Sequence, residues 1–203
     1  ALASEITRGY YQVLDPLKAG NKVKILADRA NSDWSAEQAQ TATTEELAKA
    51  KNNVDAVLTN NSAMARGAIA ALDAQKLAGK TFVAGAGADP ENYALICNGA
   101  QKLDLTRDDA ALAQAAAKLA LALADGKTAN DAGLPASTIQ VDDRQVFQVA
   151  IPVRPIALDS IQATLVQNGI VSASALGECY PPLVKDATIP QTNSFGTLNV
   201  WVQ

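Results

Sequence analysis

Two side chains with ligand-binding chemistry, an indole and an amide, follow the first two predicted strands of this chain. Trp34 comes shortly after a strand predicted over residues 22–27, and Asn61 comes directly after a strand predicted over residues 54–59. An aromatic face packs against the apolar C–H face of a pyranose ring, and an amide offers a donor and an acceptor to neighbouring hydroxyls. Taken alone, an indole at a strand end is more often a core or rim residue than a surface on which a ligand stacks. Its occurrence together with Asn61 at consecutive strand ends favours a ligand site.

Strands and helices that would position these residues alternate along the chain. The predicted strands span 22–27, 54–59 and 81–85, and helices are predicted to follow from Ser35, over 62–76, and from Pro90 to Cys97. Successive strands begin about thirty residues apart, a spacing that requires parallel pairing with right-handed crossovers. The sequence therefore predicts an α/β fold with an open parallel sheet flanked by helices. Such folds bind small molecules at the carboxyl ends of their strands.

The rest of the chain is less regular. A helix over 5–18 precedes the first strand, and the later part is predicted as a strand at 101–106, an Ala-rich helix at 107–125 capped by Thr106, a loop at 126–137, a strand at 145–153 and a short helix at 160–166. From residue 178 onward the pattern dissolves into a tail of unknown role. The tail closes with a candidate late strand, LeuAsnValTrpVal at 198–202.

Charge and composition exclude several classes of partner. The net charge is −4 and the pI is about 4.8, and no basic stripe is present that could neutralise nucleic-acid phosphates. No apolar run approaches the roughly 20 residues that span a bilayer. We therefore predict neither nucleic-acid binding nor a membrane-spanning segment.

Catalytic and metal-binding patterns are also thin. The chain has no histidine, so a Ser or Cys nucleophile lacks its usual base, and a Cys/His zinc site is excluded. A GlyAlaGlyAla turn at 85–88 resembles the start of a dinucleotide fingerprint, but the third glycine position is Pro90. We predict a protein that is not an enzyme and that uses no cofactor.

Cys97 and Cys179 are the two cysteines of the chain. They are either two buried free thiols or a disulfide that ties the C-terminal tail to the body. The second alternative would imply an oxidising compartment. The sequence leaves both open.

Several segments together resemble a known family. They are GlyTyrTyrGlnValLeuAspProLeuLys, SerAspTrpSerAlaGluGlnAla, AsnAsnValAspAlaValLeuThrAsnAsn, LeuAlaGlyLys before a strand, GlyAlaGlyAlaAsp, and the IleProValArgProIleAlaLeu run near residue 155. Over roughly residues 9–175 the chain resembles the C-terminal lobe of periplasmic sugar-binding proteins of the xylose-binding, ribose-type cluster. The resemblance implies a periplasmic-binding-protein type I lobe at 1–177 and leaves 178–203 as the tail.

This resemblance also implies a set of site residues. Trp34 and Asn61 match the family's sugar-contacting Trp and Asn, and Arg107 matches a hinge-strand Lys that closes the site. Gly87 stands where the family has an Asp, although Asp89 keeps the second acid of that motif. A charge-assisted hydrogen bond lost from a buried sugar site costs on the order of 1.5 to 3 kcal/mol. The predicted ligand residues are Trp34, Asn61, Asp89 and Arg107.

The implied function is the binding of a monosaccharide, such as an aldopentose, in the periplasm or outside the cell for delivery to an ABC transporter permease. Relative to the family, the chain lacks the N-terminal lobe and the first, central strand of the C-terminal lobe, and its helix at 107–125 matches the other lobe. The chain is thus expected to be a fragment, to have its sheet completed by another segment or partner chain, or to be a truncated relative. The alternative function is a degenerate lobe that has lost sugar binding and acts as a structural or protein-interaction module.

Overall fold

Helices and strands alternate over the first hundred residues, as the periodicity predicts. The structure is a computed structural model, and it describes residues 2–141, 143–176, 179 and 198–202. The helices are Leu2–Ala19 (α1), Ala36–Lys49 (α2), Ser62–Ala74 (α3), Pro90–Cys97 (α4) and Asp109–Ala124 (α5). The strands are Val23–Asp28 (β1), Ala56–Leu58 (β2), Phe82–Ala84 (β3), Asp104–Arg107 (β4), Ala136–Val141 (β5), Arg144–Val149 (β6), Val153–Ile156 (β7) and Leu198–Val202 (β8).

A strand from the C-terminal tail lies in the interior of the main sheet. The strand order is β1-β8-β2-β3, and all the pairs are parallel. Val200 of β8 is opposite Ile25 of β1 on one side and Ala56 of β2 on the other. The late strand predicted at 198–202 is therefore confirmed. It occupies the central place that the resemblance assigns to a strand absent from the start of the lobe.

The resulting order is that of a doubly wound sheet. When the strands are renumbered so that β8 is strand 1 and β1, β2 and β3 are strands 2, 3 and 4, their order in the sheet is 2-1-3-4. In sheets with this order, ligands bind outside the carboxyl ends of the strands, near the point where the strand order reverses. β4 continues beside the segment after β3, where the Leu105 amide donates to the Gly85 carbonyl at 3.1 Å. β4 and β7 form a two-stranded sheet, and β5 and β6 form another.

β8 contributes to the apolar packing on both faces of the main sheet. Val200 and Val202 pack with Leu14 of α1 on one face. Trp201 points to the opposite face, because successive side chains of a strand alternate, and packs in the cluster that includes Val57 and residues of α2 and α3. Trp201 is only 1% exposed. The strand therefore joins two apolar clusters that a four-stranded sheet separates.

α2 and α3 approach each other closely because one residue of α3 has no side chain. A Cβ added at Gly67 would lie 2.0 Å from the carbonyl oxygen of Ala36, at the start of α2. No side chain is tolerated at that separation. Glycine at position 67 is thus required by the packing of α3 against α2.

A third apolar cluster holds the segment after β7. Ile156, Ile161 and Leu165, the last of these in a π-helical turn at Gln162–Val166, pack with Tyr93 and Ile96 of α4. Cys179 is buried beside this cluster and is joined to Cys97 by a disulfide, with a Cα–Cα distance of 5.1 Å. Of the two alternatives left open for the cysteines, the structure has the disulfide.

The chain divides into two compact units. The first comprises the described residues of 1–105 and 155–203, with the main sheet, and the second comprises 106–154, with α5 and the β5–β6 hairpin. The prediction of a single lobe over 1–177 and a tail over 178–203, with the helix at 107–125 matching the other lobe, stays a prediction. No helix in the described part of the chain is long and apolar enough to cross a membrane.

Local expectations in the second unit are corrected at three points. The loop predicted at 126–137 is shorter, because Ala136 and Ser137 begin β5. The strand predicted at 145–153 divides into β6, which pairs with β5 in an antiparallel hairpin, and the separate strand β7. The cap of α5 is Asp108, whose Oδ1 accepts from the Ala111 amide at 2.9 Å, whereas the Thr106 hydroxyl donates to the Arg107 carbonyl.

Candidate functional site

A cavity of about 550 Å³ opens at the carboxyl ends of β1 and β2. Its walls come from the first half of α1, the loop that follows β1 and the loop that follows β2. The lining residues that bear on ligand chemistry are Thr7, Tyr11, Asp28, Trp34 and Asn60. The volume is in the range typical of small-molecule sites.

Three tyrosine and asparagine side chains attach α1 to the strand ends and so shape this cavity. The Tyr10 hydroxyl donates to the Thr59 carbonyl at 2.9 Å, the Tyr11 hydroxyl donates to Asp28 Oδ2 at 2.9 Å, and Asn60 Nδ2 donates to Thr7 Oγ1 at 3.4 Å. Burial, with a smaller contribution from Asp104, raises the pKa of Tyr10 to about 12. Burial and the hydrogen bond to Asp28 raise the pKa of Tyr11 to about 12. Both hydroxyls are therefore neutral donors at neutral pH.

Trp34 lines the cavity from a tightly held loop. Its φ is +55°, in the left-handed region, and its amide donates to the Asn31 carbonyl at 3.3 Å. The Asn31 side chain in turn bonds Ser35 twice, donating to its carbonyl at 2.9 Å and accepting from its amide at 3.2 Å. These bonds hold the backbone on both sides of Trp34, which lines the cavity. The Ser35 cap of α2 is confirmed, since its hydroxyl oxygen accepts from the Gln38 amide.

Asn61 contacts Trp34, and both ends of its side-chain amide make hydrogen bonds within the protein. Its Oδ1 accepts from the Met64 amide at 2.7 Å and so caps α3. Its Nδ2 donates to the Trp34 carbonyl at 3.0 Å. The structure therefore brings the two predicted residues together through a direct hydrogen bond, and Asn61 positions the loop that carries the indole. Whether either contacts a ligand stays a prediction.

Gly87 and Asp89 lie in the turn after β3. Gly87 has a φ of +130°, and a Cβ there would lie 3.1 Å from Ser62 Oγ and 3.6 Å from Asp89 Oδ1. Asp89 Oδ2 accepts from the Arg66 guanidinium at 2.9 Å. The carboxylate of Asp89 is thus ion-paired with α3, and the turn itself demands glycine.

A buried carboxylate beneath this turn was not foreseen. Asp104 is fully buried and accepts from the Ser62 hydroxyl at 2.8 Å, from Gln101 Nε2 at 3.0 Å and from the Leu105 amide at 2.8 Å. Burial raises the pKa of Asp104, although these hydrogen bonds oppose the shift. Asp104 ties α3, the turn after β3 and β4 together. The only sequence signal for it was an acid inside a predicted strand.

Arg107 belongs to the second unit. Its guanidinium is largely exposed and lies 3.8 Å from Asp109 Oδ1. It does not line the cavity described above, and its role in ligand binding stays a prediction. Among the described residues, no group of three acidic, cysteine or histidine side chains is placed to hold a metal ion.

Comparison with known proteins places the chain in a family. The family model described as "Periplasmic binding protein domain" matches residues 2–128, more than half of the chain. The chain belongs to this family. Its fold is that of a type I periplasmic binding protein, a parallel sheet flanked by helices.

Two curated periplasmic binding proteins each match more than half of the chain. A D-xylose-binding periplasmic protein of Haemophilus influenzae is 41% identical over 116 residues, which are 57% of this chain and 35% of that protein. A D-xylose-binding periplasmic protein of Escherichia coli is 34% identical over 119 residues, which are 59% of this chain and 36% of that protein. The chain thus spans about a third of the length of these relatives.

A solved periplasmic binding protein matches the fold. It is a carbohydrate transporter solute-binding protein from Chloroflexus aurantiacus in complex with D-glucose, with 26% identity and a TM-score of 0.63. The match covers 71% of this chain and 42% of that protein.

Proposed function

We propose that this chain is the sugar-contacting lobe of an extracytoplasmic solute-binding protein, and that it binds a monosaccharide such as an aldopentose for an ABC transporter. The observation that carries the proposal is the position of Trp34, whose indole lines a cavity of about 550 Å³ at the carboxyl ends of two parallel strands. Hydroxyl and amide side chains, among them those of Thr7, Tyr11 and Asn60, line the same cavity together with charged groups. This combination of an apolar face and hydrogen-bonding groups suits a pyranose ring.

The names of the relatives support the ligand class, since both curated matches are D-xylose-binding proteins and the solved neighbour was crystallised with D-glucose. The disulfide between Cys97 and Cys179 supports an oxidising compartment such as the periplasm. We propose that a permease and an N-terminal lobe, from the same protein or from a partner chain, complete the transport system. The intact mass of the protein from its source tests whether about a hundred further residues precede Ala1.

Calorimetric titration with xylose, glucose and arabinose tests the sugar-binding proposal. A single lobe contacts the sugar from one side only, so we expect a dissociation constant on the order of 1 mM, which corresponds to a binding free energy of about −4 kcal/mol. Trp34→Ala should weaken binding at least about fivefold, because it removes a stacking contact worth roughly 1 kcal/mol. Phe147→Ala is the matched control, since Phe147 is an exposed aromatic in the other unit and its loss should leave binding unchanged.

A second function remains as the competing proposal. Gly87 cannot supply the acid that the family uses, and the amide of Asn61 is largely engaged within the fold. Both observations favour a degenerate lobe that serves as a structural or protein-interaction module. If titration with each of the three sugars gives no heat of binding, on a sample that circular dichroism shows to be folded, the structural or interaction module is the better account of the function.

A further inference from the structure

The cavity beside Trp34 contains a carboxylate that neither the motif pattern nor the resemblance identifies. Asp28 is the last residue of β1, and its placement is fixed by the sheet, since it is opposite Val202 of β8. Its side chain is exposed and lines the same cavity as the indole. Among the described residues that line this cavity, Asp28 is the single acid.

The hydrogen bonds of Asp28 leave it ready to accept from a ligand. Tyr11 donates to Oδ2 at 2.9 Å, and within the described part of the chain this is the one hydrogen bond that the carboxylate receives. The two cations that line the cavity are paired elsewhere, Arg8 with Glu5 and Arg29 with Glu45 and Glu46. Asp28 therefore keeps an unneutralised charge at the cavity wall, with one oxygen oriented by a neutral donor.

A second acceptor, on another residue that lines this cavity, has no donor among the described residues. Asn60 is 7% exposed and lines the cavity, and its Oδ1 has no hydrogen-bond partner among the described residues. Buried acceptors without donors are costly. Asn60 Oδ1 is itself shielded from solvent, so Asp28, whose side chain is exposed, is the one of these two acceptors that a hydroxyl-bearing molecule in the cavity can reach.

We propose that Asp28 is the carboxylate that accepts hydroxyl hydrogen bonds from a neutral monosaccharide stacked on Trp34, in the role that Gly87 cannot fill. The inference rests on the proposed sugar-binding function. Tyr11 positions the carboxylate, and its negative charge disfavours sugar acids, because the two arginines that line the same cavity are already paired with glutamates. Hydrogen bonds to ionised acceptors are about twice as strong as neutral ones, so this single group affects affinity strongly.

Titration of the full chain and of matched variants tests the inference. Asp28→Asn keeps the size of the side chain and removes its charge, and it should weaken xylose and glucose binding by about tenfold or more. Tyr11→Phe should weaken binding by a smaller factor, about two- to fivefold, because the carboxylate loses its orienting donor. Asp125→Asn is the control, since Asp125 is likewise exposed and also has one described partner, Lys127, but lies in the other unit. It should bind like the wild type.

Charge selectivity provides a second readout. The wild type should bind glucose more tightly than glucuronate, and Asp28→Asn should narrow this preference. Equal binding of sugars by Asp28→Asn and the wild type, or tighter binding of glucuronate by the wild type, would overturn the role of Asp28 while the sugar-binding proposal stands. A folded wild type that binds no sugar would overturn both. Unfolding midpoints measured for each variant confirm that any loss of binding is not a loss of folding.

Discussion

Replacing Trp201 by alanine should destabilise the first unit severely, because this residue anchors a strand from the end of the chain inside the main sheet. Trp201 is 1% exposed and packs against Val57 and the helices of the opposite face. Burying a tryptophan removes about 200 Å² from water, equivalent to roughly 5 kcal/mol at about 25 cal/mol per Å². The indole N–H of Trp201 has no hydrogen-bond partner among the described residues. Because the alanine variant lacks this buried unsatisfied donor, it regains about 1 to 3 kcal/mol of the lost stability.

The net expectation for Trp201→Ala is a loss of about 2 to 4 kcal/mol, which overlaps the usual range for removing a buried tryptophan. With a urea dependence of about 2 kcal/mol per molar, the unfolding midpoint should fall by about 1 to 2 M. Trp201→Phe should cost less than about 1 kcal/mol, because it keeps most of the apolar contact and removes the unpartnered N–H. Val13→Ala, at a residue of α1 that is 64% exposed, should stay within about 0.5 kcal/mol of the wild type.

Urea unfolding followed by tryptophan fluorescence suits this test, because the chain has two tryptophans and both lie in the first unit. Trp34 reports on unfolding of the alanine variant. In a Trp34→Phe background, emission from Trp201 should be blue-shifted and protected from acrylamide. A Trp201→Ala variant as stable as Val13→Ala, together with freely quenched Trp201 emission, would refute the placement of β8 between β1 and β2.

Three further outcomes follow from the structure. Replacing Cys97 and Cys179 by serine should cost about 2 to 5 kcal/mol, because the bond closes a long loop, and only the wild type should lose stability when a reductant is added during urea unfolding. Gly87→Asp should destabilise by about 1 to 3 kcal/mol without improving sugar titrations, because φ is +130° and the new Cβ would press on Ser62; a stable variant with tighter binding would contradict this. Burial raises the pKa of Asp104 above its ordinary value of 3.8, so its contribution to stability is fully present below that value and is lost as pH rises through the raised pKa. Urea midpoints at several pH values should therefore fall more steeply with rising pH above 3.8 for the wild type than for Asp104→Asn, and parallel profiles would contradict the assignment.

Local patterns predicted most of the parallel units correctly. The strand and helix spacing from Lys22 to Cys97 follows from apolar periodicity and from local caps such as Ser35, and these signals act within a few residues. The β5–β6 hairpin was missed because its strands are exposed and its first residues follow Gly133 and Pro135. An exposed hairpin carries little hydrophobic pattern from which it could be recognised.

The proximity of two candidate site residues was anticipated, and their contact with a ligand stays a prediction. Trp34 and Asn61 were expected at one edge of the sheet, and they do lie together there. That Asn61 caps α3 follows from hydrogen bonds to Met64 and to the Trp34 loop, which a sequence motif does not specify. Asp28 and Asn60 were not foreseen, since their relation to the cavity depends on how α1 lies against the strand ends.

The sequence by itself determined the alternation of strands and helices, the family, and the positions of Trp34 and Asn61 after two successive strands, because these features are carried by short segments of the chain. Only the tertiary structure decided that the segment at 198–202 fills the centre of a sheet whose other strands precede residue 85. The order of strands in a sheet depends on which apolar faces can be buried together. The five residues of β8 do not by themselves indicate that they pair with strands more than a hundred positions earlier in the chain. For the same reason the tertiary structure alone paired Cys97 with Cys179 and placed Asp28 beside Trp34.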